Sequence, residues 1–187
     1  MFKNELEIFT ALDDELKKCG IKLDIICVGG FVLSHYGLKH TMDIDGFYRR
    51  TMEIDEIIER VGNKFGINTD KEPWLNNSVQ SMNRIPDKAI CTVLYDFENL
   101  TVYMPPLEYI AGMKLQSGRE KDIEDVALII RKEQLDDPIK FNELLKEKYD
   151  FEGIDISMVL TVYGKAYGFE WLEKYYQVHE AELMSIF

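Results

Sequence analysis

Asp43 and Asp45 are the residues of this chain best suited to chemistry. On an extended strand, side chains two apart point to one face, so two carboxylates converge where divalent cations can be held. Upstream stands the apolar run Ile25–Val28, which ends in the adjacent glycines Gly29 and Gly30. Glycines at a helix start let a phosphate approach backbone N–H groups at the positive end of the helix dipole. Twelve residues, Phe31 to Met42, separate Gly30 from Asp43. A phosphate cradle followed at this distance by a metal-binding pair is what a nucleotide-handling site requires. The bland alternative is an ordinary Gly-Gly turn and a strand with two exposed acids.

Several elements must position these residues. Ile25–Val28 has the pattern of a short buried strand, and Phe31–Tyr36 follows as a short helix ended near Gly37. Met42–Tyr48 reads as a strand with Asp43, Asp45 and Phe47 on one face and Met42, Ile44 and Gly46 on the other. Ahead of them, Phe2, Leu6, Phe9, Leu12 and Leu16 recur at helical spacing, and Gly20 supplies a stop. Thr51 caps a helix in which Ile54, Ile57, Ile58 and Val61 form one apolar stripe. The stretch 62–87 is irregular, with Pro73, Asn76–Asn77 and Pro86 marking loops. Ala89–Tyr95 and Leu100–Met104 read as a hairpin joined by the turn Asp96–Asn99.

Pro105–Pro106 opens a helix over Leu107–Ser117, and a second amphipathic helix spans Glu120–Arg131. From Asp137–Pro138 the pattern is helical to the end, with breaks near Gly153 and Gly164–Gly168. The expected organisation is an α/β core over residues 1–104 and a helical region over 105–187.

A chain of 187 residues suffices for one substantial core or a core with a helical appendage. With 46% hydrophobic and 30% charged residues, the balance is that of a soluble globular protein. No apolar stretch approaches the roughly 20 residues needed to span a bilayer, and the acidic, amphipathic start is unlike a signal peptide. Cys19, Cys27 and Cys91 are few and unpatterned, which points to free thiols in a reducing cytoplasm. The net charge of −12 opposes broad DNA binding, because no excess of cations exists to displace phosphate counterions.

An apolar strand, Gly-Gly, a short helix and then Asp-Ile-Asp resemble the signature of the nucleotidyltransferase superfamily with the DNA polymerase beta-like fold. A second likeness lies in Pro106-Leu107-Glu108-Tyr109-Ile110-Ala111-Gly112-Met113-Lys114-Leu115 followed by Gly118-Arg119-Glu120-Lys121-Asp122-Ile123-Glu124-Asp125. It is similar to the helix after the core in a bacterial branch that holds uncharacterised nucleotidyltransferase-like proteins and abortive-infection toxins. The resemblance covers roughly Asp24 to Arg131 and implies an α+β fold, with a mixed sheet, flanking helices and a helical C-terminal region. It implies that Gly29 and Gly30 lie under a triphosphate and that Asp43 and Asp45 hold Mg2+. Two such ions about 4 Å apart would activate an attacking hydroxyl and stabilise departing pyrophosphate.

Active members of that superfamily carry a third carboxylate on a neighbouring strand, whereas Leu100-Thr101-Val102-Tyr103 has no acid. Asp96 and Glu98, in the preceding turn, are the substitutes on offer, with Asp96 the first choice. Lys114 is a candidate phosphate contact that would neutralise charge on the leaving group. Arg119, Asp122 and Asp125 read more simply as a solvated helix with local ion pairs.

His35 and His40 fall near the site as packing or hydrogen-bonding residues, and His179 as a surface residue. Phe169, Trp171, Tyr175 and Tyr176 fit a packing face better than a base-stacking platform. Asp43-Ile44-Asp45-Gly46 also resembles the nucleophile loop of haloacid dehalogenase phosphatases. That loop needs apolar residues before its first Asp and Thr or Val after the Gly; Lys39-His40-Thr41-Met42 and Phe47 fail both requirements.

The expected protein is a cytoplasmic, magnesium-dependent nucleotidyltransferase moving a nucleoside monophosphate from a nucleoside triphosphate to an RNA end or a protein hydroxyl. The alternative is a non-catalytic nucleotide-binding regulator or toxin–antitoxin partner. The missing third acid favours the alternative.

Overall fold

Ile8, Phe9, Leu12 and Leu16 make one face of α1 (Glu5–Cys19) apolar, and all four are buried. The computed structural model describes residues 5–69, 73–81 and 84–186. Two compact units divide the chain, Met1–Pro106 and Leu107–Phe187. The fold is α+β, as its sequence patterning and the superfamily resemblance imply.

The first unit is built on β1 (Leu23–Val28), β2 (Ile44–Phe47), β3 (Leu75–Asn76), β4 (Thr92–Asp96) and β5 (Leu100–Met104). They form one mixed sheet in the order β3-β2-β1-β5-β4. β1 runs antiparallel to β2 and parallel to β5, while β3 lies parallel to β2 and β4 antiparallel to β5. Alternation divides the faces. Leu23, Ile25, Cys27, Ile44, Leu75, Leu100 and Val102 join one hydrophobic cluster with α1 and with α3 (Met52–Phe65). Asp45, one residue past Ile44, therefore belongs to the opposite face.

α3 begins where Thr51 Oγ1 accepts a hydrogen bond from Ile54 N at 3.2 Å, a cap worth about 1 kcal/mol. Its Ile54, Ile57, Ile58 and Val61 are fully shielded, each contributing about 1.5–3 kcal/mol of burial. Trp74, just before β3, is wholly buried and donates from Nε1 to Ile58 O at 2.9 Å, so its polar edge is satisfied.

Three strands differ from the sequence expectation. β2 is shorter than Met42–Tyr48, and Asp43 sits in the bend before it. Residues Lys88–Ile90 form a 3-10 turn, because Asp87 accepts from Ala89 N at 2.9 Å and turns the chain before β4 can start. β3 arises inside the stretch read as loop, too short to carry a period.

The second unit contains α4 (Leu107–Ser117), α5 (Asp122–Glu133), α6 (Pro138–Tyr149), α7 (Ile156–Tyr167) and α8 (Phe169–Ile186). Asp137 caps α6 and Asp155 caps α7 through backbone N–H bonds. Val126, Ala127, Ile129 and Ile130 of α5 are shielded as α5 packs with α4 and α7. The helical break expected over Gly164–Gly168 falls at Gly168 alone, with Gly164 inside α7. Among the described residues no helix is long and apolar enough to cross a membrane.

Candidate functional site

β1 delivers the chain to Gly29, whose φ of 64° and ψ of −138° are closed to ordinary L side chains. From there α2 (Gly30–His35) leads away with Phe31, Val32 and Leu33 buried. The turn carries no side chains, and the space they would fill belongs to the acid strand. A β-carbon on Gly29 would lie 2.8 Å from Asp45 Oδ2, and one on Gly30 would lie 3.1 Å from Thr41 Oγ1. Thr41 in turn donates from Oγ1 to Asp43 Oδ1 at 2.7 Å. Both acids therefore converge on the Gly29–Gly30 turn, Asp45 directly and Asp43 through Thr41.

Pairing fixes this arrangement. Val28 is the register partner of Asp45 across the antiparallel β1–β2 ladder, so the last strand residue before the glycines faces the acid. On the other side Asp45 pairs with Asn76 of β3. Asn76 is 6% exposed, and its Oδ1 accepts from Ser78 N at 3.1 Å and from Ser78 Oγ. Sequence reasoning missed Thr41 and Asn76. A Thr two residues before an Asp was a signal within reach, as an Asx- or ST-type local bond; Asn76 gave none beyond its place in an irregular stretch.

No carboxylate joins the pair from β5. Thr101 and Tyr103 share a face with Asp24 and Ile26 of β1 through the parallel register. Asp96 pairs with Thr101, and Thr101 with Asp24. Val28 lies four positions beyond Asp24, about 13 Å along β1, which removes Asp96 as the third acid. Glu98 is engaged by Lys17. Among the described residues no group of three or more His, Cys, Asp or Glu side chains is gathered to hold a metal ion.

Two carboxylates beside a bare backbone turn nevertheless fit one Mg2+. This small, hard ion typically binds through one or two carboxylates plus substrate phosphates and keeps several waters.

Lys114 lies in the helical unit, 8% exposed, with Nζ 2.7 Å from Asp122 Oδ1 and 2.8 Å from Asp125 Oδ2. Arg119 Nε and Ser117 Oγ also donate to Asp122 Oδ2, at 2.6 and 3.0 Å. Burial pushes the Asp122 carboxyl up, but the bonds and charge of Lys114, with Arg119 and Ser117, outweigh it and leave the group below the ordinary value. Asp122 and Asp125, expected on a solvated face, are buried. The ammonium supplies the reason: one cation on α4 compensates both acids of α5.

His35 closes α2, with Nδ1 3.9 Å from Glu5 Oε1, the atom that accepts the Tyr95 hydroxyl at 3.0 Å. His40 is exposed in the loop before Asp43. In the helical unit, Trp171 stacks between Tyr163 and Tyr175 at ring distances of 6.0 and 5.3 Å, and Tyr175 stacks on His179. Trp171 and Tyr175 are thus used for packing, while Phe169 remains 66% exposed.

No curated protein and no solved structure matches the chain. A family model described as a nucleotidyltransferase of unknown function (DUF6036) matches residues 6–161, which takes in the glycine turn, both acids and most of the helical unit. That match spans most of the sequence, and the chain belongs to this nucleotidyltransferase family.

Proposed function

We propose that the Gly29–Gly30 turn and the Asp43–Asp45 pair bind a nucleoside triphosphate with magnesium, for transfer of the nucleoside monophosphate to an acceptor hydroxyl. The observation that carries this reading is the 2.8 Å approach of Asp45 Oδ2 to the missing side chain of Gly29. A phosphate that meets the bare turn also meets the acid strand. Bound there, Mg2+ would neutralise triphosphate charge and stabilise the leaving pyrophosphate.

Asp43 and Asp45 would supply its protein oxygens, with Thr41 holding the Asp43 carboxylate in one orientation. The acceptor oxygen forms a bond to the α-phosphorus, the bond to the bridging oxygen of pyrophosphate breaks, and the hydroxyl proton passes to water. The acceptor is an RNA end or a protein hydroxyl, in keeping with a toxin-type resemblance. Lys114, the candidate phosphate contact, has its charge compensated within the helical unit by Asp122 and Asp125.

A second reading is favoured by the acid-free β5: a nucleotide-binding regulator or toxin–antitoxin partner without transfer activity. Incubation with each α-labelled nucleoside triphosphate, Mg2+, and cell RNA or protein separates the two. Labelled acceptor that is absent with the Asp43→Asn/Asp45→Asn protein supports transfer. Magnesium-dependent binding without labelled acceptor supports the regulator, and no binding at all overturns both.

A further inference from the structure

α8 is fastened along one side and bare along the other. Its inner side is the ring ladder of Trp171, Tyr175 and His179, with Leu183 fully buried. Phe169 and Tyr176, seven residues apart, fall on a different line of the helix and stay 66% and 36% exposed. Met184, 61% exposed, joins them, because the Tyr176 hydroxyl donates to its Sδ at 3.9 Å across the kink at His179. Phe169 is seated on bare backbone at one edge, since a β-carbon on Gly164 of α7 would come within 2.6 Å of its ring. Single exposed apolar side chains are ordinary on a surface. Three in line, each set against a neighbour, form a preorganised apolar spine.

The acids beside this spine decide what can cover it. Glu173 and Glu180 each stand four residues past a spine aromatic, and Glu170 lies next to Phe169; all three are exposed. α8 contains one Lys and no Arg, and Lys174 is turned about 100° away from Glu173. A second copy of the helix would set these acids against their like. An anionic bilayer or a nucleic acid would be repelled too, and the net charge of −12 adds to each repulsion. A cationic partner is attracted instead. The shape suits a helix, because the spine runs along about 23 Å of α8 with a seven-residue interval that a second helix at a shallow crossing angle can follow.

We propose that this strip of α8 is a docking surface for a basic amphipathic helix of another protein, one whose apolar stripe is flanked by Lys or Arg. The strip lies past residue 161, where the family match ends, and its use does not depend on what the acid pair binds.

The test uses the full chain and a labelled synthetic helix about three heptads long, with Leu at the a and d positions and Lys at e and g. Two controls accompany it: a twin with Glu at e and g, and a peptide of the same composition with its Leu residues scattered around the helix. Fluorescence anisotropy reads binding to wild type, Tyr176→Gln and Glu173→Lys/Glu180→Lys, all exposed positions, and thermal melting checks the fold. The Lys peptide should bind and the Glu twin should not. Tyr176→Gln should weaken the Lys peptide about tenfold or more with charge unchanged. The charge reversal should weaken it as much and take up the Glu twin instead. If Tyr176→Gln melts at lower temperature, the charge reversal alone decides.

No binding of the Lys peptide, equal binding of the scattered peptide, or binding unchanged in the folded variants overturns the proposal. So does a different occupant: dimerisation of the free chain in sedimentation equilibrium, or binding to single-stranded RNA or phosphatidylglycerol vesicles, that Tyr176→Gln abolishes.

Discussion

Gly29 and Asp45 are in mutual contact across the β1–β2 ladder, with room for a hydrogen but not a methyl group between them. The chain thereby makes backbone and carboxylate two walls of one space. Gly29→Ala meets both a positive φ and a clash, and should cost about 1–3 kcal/mol in urea denaturation. Nucleotide titrated with Mg2+ should no longer bind even below the melting temperature. A variant that binds normally would show the turn to be a simple bend.

Asp43→Asn/Asp45→Asn should abolish magnesium-dependent nucleotide binding and leave the melting temperature equal or higher. Two like charges held against one turn repel, and relieving that repulsion stabilises the fold while removing the ligands. A large drop in melting temperature would instead mark the acids as structural.

Thr41→Val keeps the shape of the side chain beside Gly30 and removes the hydroxyl that orients Asp43. Losing such an orienting partner typically weakens metal affinity about 10- to 100-fold. Stability should fall by only about 0.5–1.5 kcal/mol, since one partly buried hydrogen bond is lost. Mn2+ titration in the presence of nucleotide reads the first effect, and thermal melting the second.

Lys114→Met removes the cation that two buried carboxylates share and should cost about 3–5 kcal/mol. The pH dependence has a definite sign. Asp122 is held below its ordinary 3.8, so its contribution is present above that value and is lost as pH falls below it toward the lowered folded value. Asp122→Asn should flatten this acid limb of the stability curve, measured by urea titrations between pH 5 and the acid transition. An unchanged acid limb would rule out the α4–α5 ion cluster as its source.

Elements with a long apolar period were legible in the sequence. The Ile54, Ile57, Ile58 and Val61 stripe of α3 is buried as spaced and Thr51 caps that helix, while Leu107–Ser117 was legible from Pro105–Pro106 before it and Gly118 after it. The glycine turn and acid pair were legible because their residue types carry their own chemistry. Thr41 and Asn76 were not, since the first acts through a hydroxyl shared by many inert threonines and the second through strand pairing of two residues. Local spacing found Arg119 with Asp122, three apart, the first in the turn before α5 and the second at its start. Lys114 reaches Asp125 from eleven residues away on a different helix, where no period points to it.

The outer strands of the sheet are poor templates for another chain. β3 offers only Leu75 and Asn76, and the β4–β5 ladder is interrupted between Val93 and Tyr95. A long, flat outer strand invites edge-to-edge growth into fibrils, while a very short one or one bent by a bulge does not. Concentrated solutions of this chain should therefore resist ordered cross-β aggregation, with thioflavin fluorescence staying at baseline until the sheet itself unfolds.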